Sequence, residues 1–194
     1  MERIAQNITN SIQRNNSNLT RLQILKIKFG LECLLGELTK TILYVGIFSI
    51  FSLTKNFLIS LLFFCSIRSV AGGYHEATYW RCFCTSFLIF SIAVIAGVQL
   101  DISSNVRVIM LLVSMVLVWI YAPVDHPNKP IISELRRKKL KYISLLLSIC
   151  MGGMSFFLSK NYAITAMMAI LLEALSLPMG NFSKRSMESE SVKR

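Results

Sequence analysis

Residues 82–100 and 108–124 of this chain contain no charged side chain, over 19 and 17 positions. Residues 142–159 are equally free of charge. At about 1.5 Å of rise per residue, a helix of such length approaches the roughly 30 Å hydrocarbon core of a bilayer. That core holds no water to satisfy backbone N–H and C=O groups, so the segment must bond them internally as a helix. Three further blocks, 31–53, 56–67 running on toward Gly72, and 161–182, reach spanning length only when polar residues near their ends are included. They carry Glu32, Glu37, Lys40 and Glu173. Glu37 and Lys40 stand three apart, a spacing at which helical side chains pair. The hydrophobic share of 54% is high for a soluble domain. The pattern predicts an all-α, polytopic integral membrane protein of about six spans.

Residues 1–29 read differently. Ile4, Ile8 and Ile12 recur every four residues and give one apolar stripe. After the polar run 15–18, a second stripe follows with Leu22, Leu25 and Phe29, while Arg21 and Lys28 are available to lipid head groups. Such helices lie on a membrane rather than cross it; a helix packing on the protein's own surface is the plainer alternative. The first 28 residues hold Arg3, Arg14, Arg21, Lys26 and Lys28 against Glu2, with no apolar core of signal-peptide length. The expected organisation is therefore an amphipathic segment at 1–29, a membrane domain at 30–183 and a tail at 184–194.

The net charge of +11 would suggest nucleic acid in a soluble protein. Here it reads as the positive-inside bias of membrane proteins, and no nucleic-acid partner is expected. Lys55, Arg107 and Lys160 are the only basic residues in three short connections. The connection at 125–141 holds Lys129, Arg136, Arg137, Lys138, Lys139 and Lys141 against Asp125 and Glu134. Six spans with both termini inside gather the basic N-terminus, the 68–81 and 125–141 connections and the tail on one face. The rule makes that face cytoplasmic.

Polar chemistry concentrates in residues 68–86, where His75, Cys82, Cys84, the Gly72–Gly73 pair, Arg68 and Arg81 sit together. On a helix, seven residues are nearly two turns, so His75 and Cys82 would share a side and Cys84 would face away. A thiolate is the nucleophilic form of cysteine and needs a nearby base or positive environment. His75 and Cys82 are thus a candidate nucleophilic pair; the plainer alternative is a small buried hydrophobe beside a chance histidine. Paired glycines permit close backbone approach or are simple loop punctuation. The five cysteines are odd in number, mostly inside apolar blocks, and show no metal-ligand spacing, so neither a disulfide framework nor a metal or other cofactor is expected. His126, between Asp125 and Pro127, reads as a solvated loop residue. Gly152–Gly153 reads as a site of close helix packing.

The run from Arg68 through Gly73, Tyr74 and His75 to Cys82 resembles the catalytic motif of the accessory gene regulator B family of bacterial membrane endopeptidases. Residues 28–32 (Lys-Phe-Gly-Leu-Glu) resemble that family's entry to its first span. Tyr121-Ala122-Pro123, Lys129-Pro130-Ile131 and Arg136–Lys139 resemble its central proline-rich and basic loop, and Glu173-Ala174 with Leu177-Pro178 its last span. The likeness runs in order over nearly the whole chain. It implies a cysteine endopeptidase of quorum sensing, in a bacterial cell membrane, that removes the C-terminal tail of a short peptide precursor. The remainder is closed into a thiolactone or lactone. On the motif, Cys82 is the nucleophile and His75 its base, with Arg68 and Gly73 on other characteristic positions. Glu76, Ser86, Glu32 and Glu173 are candidates for a third, orienting group. The precursors of this family carry an amphipathic leader, a Cys- or Ser-containing core and an acidic tail, which Arg136, Arg137, Lys138 and Lys139 would hold. The oligomeric state, a homodimer included, stays open. Two other classes compete: a small transporter using Glu32, Glu37, Asp101 and Glu173 as intramembrane charges, and a non-catalytic membrane scaffold.

Overall fold

The computed structural model describes residues 2–16, 19–74, 78–125 and 133–192, with side chains between 3 and 182. Seven helices follow one another: α1 (Glu2–Asn15), α2 (Arg21–Ile50), α3 (Thr54–Ala71), α4 (Tyr79–Gln99), α5 (Ser104–Tyr121), α6 (Glu134–Ser155) and α7 (Lys160–Val192). No strand occurs among the described residues, and the all-α class is as the sequence predicts. The chain forms two compact units, Met1–Phe51 and Ser52–Arg194.

In the first unit, α1 packs on α2. Ala5 and Thr9 are buried, whereas Ile4 and Ile8 stay exposed, so the isoleucine stripe is left facing outward. Thr20 starts α2 through a capping box: its hydroxyl accepts from the Gln23 N–H, and the Gln23 side-chain Oε1 accepts from the Thr20 N–H. From there α2 runs without a break through the expected boundary at residue 29, because no glycine or proline signal is strong enough to end it. Its 30 residues span about 45 Å, more than a bilayer core, so the turns carrying Arg21, Lys26 and Lys28 extend beyond the apolar length. The expected Glu37–Lys40 pair forms at 2.5 Å.

The second unit is built around α7, which packs against α3, α4, α5 and α6. A helix apolar all round belongs in an interior. Ala163, Ala166, Ala169 and Ala174 let neighbouring backbones approach, and Ile164, Met167, Ile170 and Leu177 fill the gaps between them. Phe90 of α4 meets Phe57 and Phe64 of α3 edge-on, with ring centroids 5.4 and 5.2 Å apart. The outer faces stay apolar and exposed, as at Leu88 and Ile92 on α4 and Ile109, Leu112 and Val116 on α5. Lipid is the solvent such faces require.

Among the described residues, five helices are long and apolar enough to cross a membrane: α2, α3, α4, α5 and the 160–182 part of α7. About six were expected, and α6 is the difference. Ser133 caps it by accepting the Arg136 N–H at 3.4 Å, so the helix begins at Glu134 instead of near Tyr142. Its first two turns therefore absorb Arg136–Lys139 and Lys141, which the sequence reading put in a loop. The helix ends at Ser155, leaving a short apolar part.

Candidate functional site

One end of the second unit brings the α3–α4 connection, the α5–α6 connection and residues 173–180 of α7 together. α3 stops because Gly72 takes φ +76, a left-handed conformation that favours glycine. Its N–H bonds to the Arg68 carbonyl at 3.0 Å, closing the helix end. The turned chain then lies beside residues 122–125: the Val124 N–H donates to the Ala71 carbonyl at 2.8 Å, and Gly72 and Val124 form a parallel bridge. A Cβ on Gly72 would stand 2.0 Å from the Val124 carbonyl oxygen, so only glycine fits. From beneath, Gly180 of α7 supports both segments; a Cβ there would come within 3.1 Å of the Gly73 and Tyr74 backbone.

Arg68, in the last turn of α3, organises this end. Its Nη1 donates to Glu173 Oε2 at 3.1 Å and to Ser176 Oγ at 3.4 Å, while Nη2 donates to the Tyr74 carbonyl. The guanidinium also lies over the Phe64 ring, 5.4 Å from its centroid. Ser176 Oγ donates to Glu173 Oε2 at 3.3 Å, a contact allowed because residues three apart share a helix face. The Glu173 side chain is fully buried, and its Oε1 has no hydrogen-bond partner among the described residues. A buried ion pair of this kind is held by geometry, since losing one partner strands the other charge at a cost of about 3–5 kcal/mol. Gly73, with φ +146, covers the pair. A Cβ there would meet Arg68 Nη1 at 2.5 Å, Ser176 Oγ at 2.9 Å and Glu173 Oε1 at 3.1 Å. Arg68 and Gly73, singled out by the sequence, thus meet in one cluster. Ser176 was missed; the signal for it was its position one turn after Glu173 on an otherwise apolar helix.

Cys82 lies in the first turn of α4, its N–H bonded to the carbonyl of the N-cap Thr78 at 3.0 Å. It is half-buried and Cys84 is exposed. The reason is helical phase. Cys82 precedes the fully buried Ala93 by eleven residues, about three turns, so both point within roughly 20° of one direction, while Cys84 is turned about 200° from Cys82. Burial thus separates the two cysteines on a different physical basis from the turn count used on the sequence. Counting turns from His75 assumed one continuous helix, yet α3 ends at Ala71 and α4 begins at Tyr79. His75 and Glu76 lie outside the described residues, as does His126.

The remaining expected residues divide. Arg136, Lys138 and Lys139 are exposed on the first turns of α6. Arg137 is instead engaged by Asp125, 3.2 Å away, whose carboxylate is almost entirely buried. Cations in a first turn oppose the helix dipole by about 0.3–1 kcal/mol each, so helix stability does not account for this cluster. Both tryptophans of the chain stand at this same end. Trp80 is exposed at the start of α4, and Trp119 near the end of α5 carries Lys141 Nζ over its ring at 4.4 Å. Tryptophan favours the membrane–water boundary, and lipid head groups are the surroundings such a cluster suits. Of the carboxylates a transporter would need, Asp101 and Glu37 are largely exposed and paired with Lys160 and Lys40, and Glu32 stands 3.8 Å from Lys28. Ser86 is half-buried on α4.

A family model described as accessory gene regulator B matches residues 4–177. An accessory gene regulator protein B of Staphylococcus lugdunensis is 30% identical over 173 residues, covering 89% of this chain and 91% of its own. One of Staphylococcus carnosus is 28% identical, over 87% of this chain and 88% of its own. A putative AgrB-like protein of Clostridium beijerinckii is 27% identical, over 89% of this chain and 87% of its own. No solved structure matches the chain.

Proposed function

Because this chain belongs to the accessory gene regulator B family, we propose that it processes the peptide precursor of a quorum-sensing signal as a membrane-embedded cysteine endopeptidase. The observation that carries this reading is Cys82. It is a half-buried thiol in the first turn of a spanning helix, at the end of the unit where Arg68, Glu173 and Gly73 cluster and where both tryptophans stand.

His75 removes the proton from Cys82 Sγ, and the thiolate attacks the carbonyl carbon of the scissile bond. The C–N bond breaks, and the acidic tail departs as an amine that takes the proton from His75. Leader and core remain as a thioester on Cys82. A Cys or Ser side chain within the same peptide gives its proton to His75 and attacks that thioester. The ring closes as a thiolactone or lactone, and Cys82 leaves as thiolate to be reprotonated by His75. A thiolactone exchanges one thioester for another, and the attack is intramolecular, where effective molarities are very large. Water would hydrolyse the intermediate, which favours a site at the edge of the apolar slab.

In this reading α6 crosses as a sixth span despite its short apolar part, so its basic turns, both termini and the catalytic pair face the cytoplasm. Arg136, Lys138 and Lys139 hold the acidic tail, while Arg137 ties α6 to Asp125. Exposed ion pairs contribute only about 0.2–1 kcal/mol each, so several must act together to matter. Replacing the tail's acidic residues with glutamine should therefore slow cleavage, and more at low salt than at high salt, where screening already weakens the attraction. An unchanged rate at low salt would remove the tail-holding role.

The test of the proposal is co-expression of the chain with its precursor and gel detection of the tail-processed product. Cys82→Ala should give no product, and Cys84→Ala should retain substantial activity. Full processing by Cys82→Ala would overturn the assignment and leave a scaffold that recruits another peptidase.

A further inference from the structure

We propose that Glu173 and Ser176 of α7 are positioning residues that act through Arg68, fixing its guanidinium so that it holds the Tyr74 carbonyl and the chain entering the catalytic loop. The proposal rests on the peptidase reading above and goes beyond it by assigning how the loop is held.

A guanidinium offers five N–H donors in a rigid plane, so fixing two nitrogens fixes the direction of the rest. Here Nη1 is occupied by Glu173 Oε2 and Ser176 Oγ, and the ring of Phe64 limits tilting of the plane. Nη2 is thereby aimed at the Tyr74 carbonyl, which it bonds. Tyr74 directly precedes His75 in the chain. Two glycines complete the arrangement. Gly73 lets the backbone pass directly over the ion pair, and Gly180 lets the same backbone rest on α7 from the other side. The loop is thus referenced to α7, the central helix of the unit, by a charged clamp and a close backbone contact.

Among the described residues, the hydrogen bonds of Glu173 lead to the loop only through Arg68 Nη1 and Ser176, so its influence should vanish when Arg68 is absent. That makes the proposal testable by a double-mutant cycle. The probe is a synthetic precursor of amphipathic leader, cysteine-containing core and acidic tail, assayed with the full-length protein in detergent micelles. Glu173→Gln keeps the shape of the side chain and removes its charge. We expect kcat to fall at least tenfold with KM changed less than threefold. Arg68→Ala should lose at least a hundredfold, and adding Glu173→Gln to it should cost nothing more. Hydrogen exchange of the peptide spanning residues 72–78 should quicken in both single variants, while exchange in 160–170 stays unchanged. Should Glu173→Gln fail to accumulate in membranes, Ser176→Ala carries the test, with an expected threefold to tenfold loss of kcat and the same non-additivity with Arg68→Ala.

Wild-type kcat in Glu173→Gln and Ser176→Ala, alongside an inactive Cys82→Ala, would sink the positioning role and leave the peptidase reading standing. Full multiplicative losses in the double variants would do the same, by showing that Glu173 acts independently of Arg68. An active Cys82→Ala would instead remove the reading on which the proposal rests.

Discussion

The 160–182 part of α7 meets its neighbours at both ends through glycine, yet the two ends are built from different chemistry. At the end near Lys160, Gly97 of α4 lies against the helix so closely that a Cβ would stand 1.8 Å from Thr165 Oγ1 and 2.8 Å from the Asn161 carbonyl oxygen. The polar groups at this helix contact are neutral and hydrogen-bonded: Asn56 donates to Thr165 at 3.1 Å, and Thr165 donates to the Asn161 carbonyl at 3.0 Å. At the other end, glycines admit loops instead of a helix, and the polar groups are a buried ion pair with one carboxylate oxygen unpaired among the described residues. Neutral, saturated contacts hold helices together in an apolar medium. A buried charge is costly to keep there, and its retention points to a task other than packing. On the function proposed here, the far end is a clasp between spans and the near end is the working site.

The sharpest way to break this contrast is to place the same added methyl group at each end. Gly73→Ala would force Arg68, Glu173 and Ser176 apart in a backbone conformation hostile to alanine. Precursor cleavage per folded molecule should drop at least a hundredfold. If Gly73→Ala only lowers the melting temperature, the near end is packing like the far one. Gly97→Ala should do the reverse. Overpacking against a backbone oxygen costs about 1–3 kcal/mol. Thermal unfolding in detergent should register it, with unchanged turnover by the molecules that remain folded.

Smaller changes sharpen the comparison. Asn56→Ala removes one hydrogen bond while Thr165 keeps its own to Asn161, so about 1 kcal/mol of stability should be lost and no activity. Lys160 and Asp101 form a 2.5 Å pair at the far end, but their side chains are 58% and 78% exposed. Asp101→Asn should change stability by less than about 1 kcal/mol, a difference a melt will scarcely resolve. A large effect there would mean that the far end also depends on charge.

Much of this was legible in the chain itself. The charge-free blocks fixed the class, because only helices satisfy backbone groups in a bilayer. The Glu37–Lys40 pair followed from helical spacing. Gly152 does pack closely, with a Cβ position 2.4 Å from Leu111, although its neighbour Gly153 faces open space. What the sequence hid was contact across long separations. Arg68 and Glu173 are 105 residues apart, and no local pattern distinguishes Glu173 from the other carboxylates proposed beside it. Nor does periodicity reveal that α7 is central, since every apolar block looks alike until small residues are weighed against large ones. The start of α6 was readable in part: Ser133 before Glu134 is an N-cap signal, but the charges behind it suggested a loop. The choice of Cys82 over Cys84 counted helical turns from His75, whereas α4 begins at Tyr79, so phase along α4 separates the two cysteines on other grounds.

The central claim is that Cys82 carries the peptide as a thioester. Its most direct measurement is intact-peptide mass spectrometry of the protein quenched in acid during turnover of a precursor whose core cysteine is replaced by alanine. Cleavage can then proceed, but ring closure cannot, so the intermediate accumulates. The account predicts an adduct of leader plus core on the fragment containing Cys82, sensitive to hydroxylamine and absent from Cys82→Ala. Tail release with the adduct on another residue, or an undiminished release from Cys82→Ala, would contradict it.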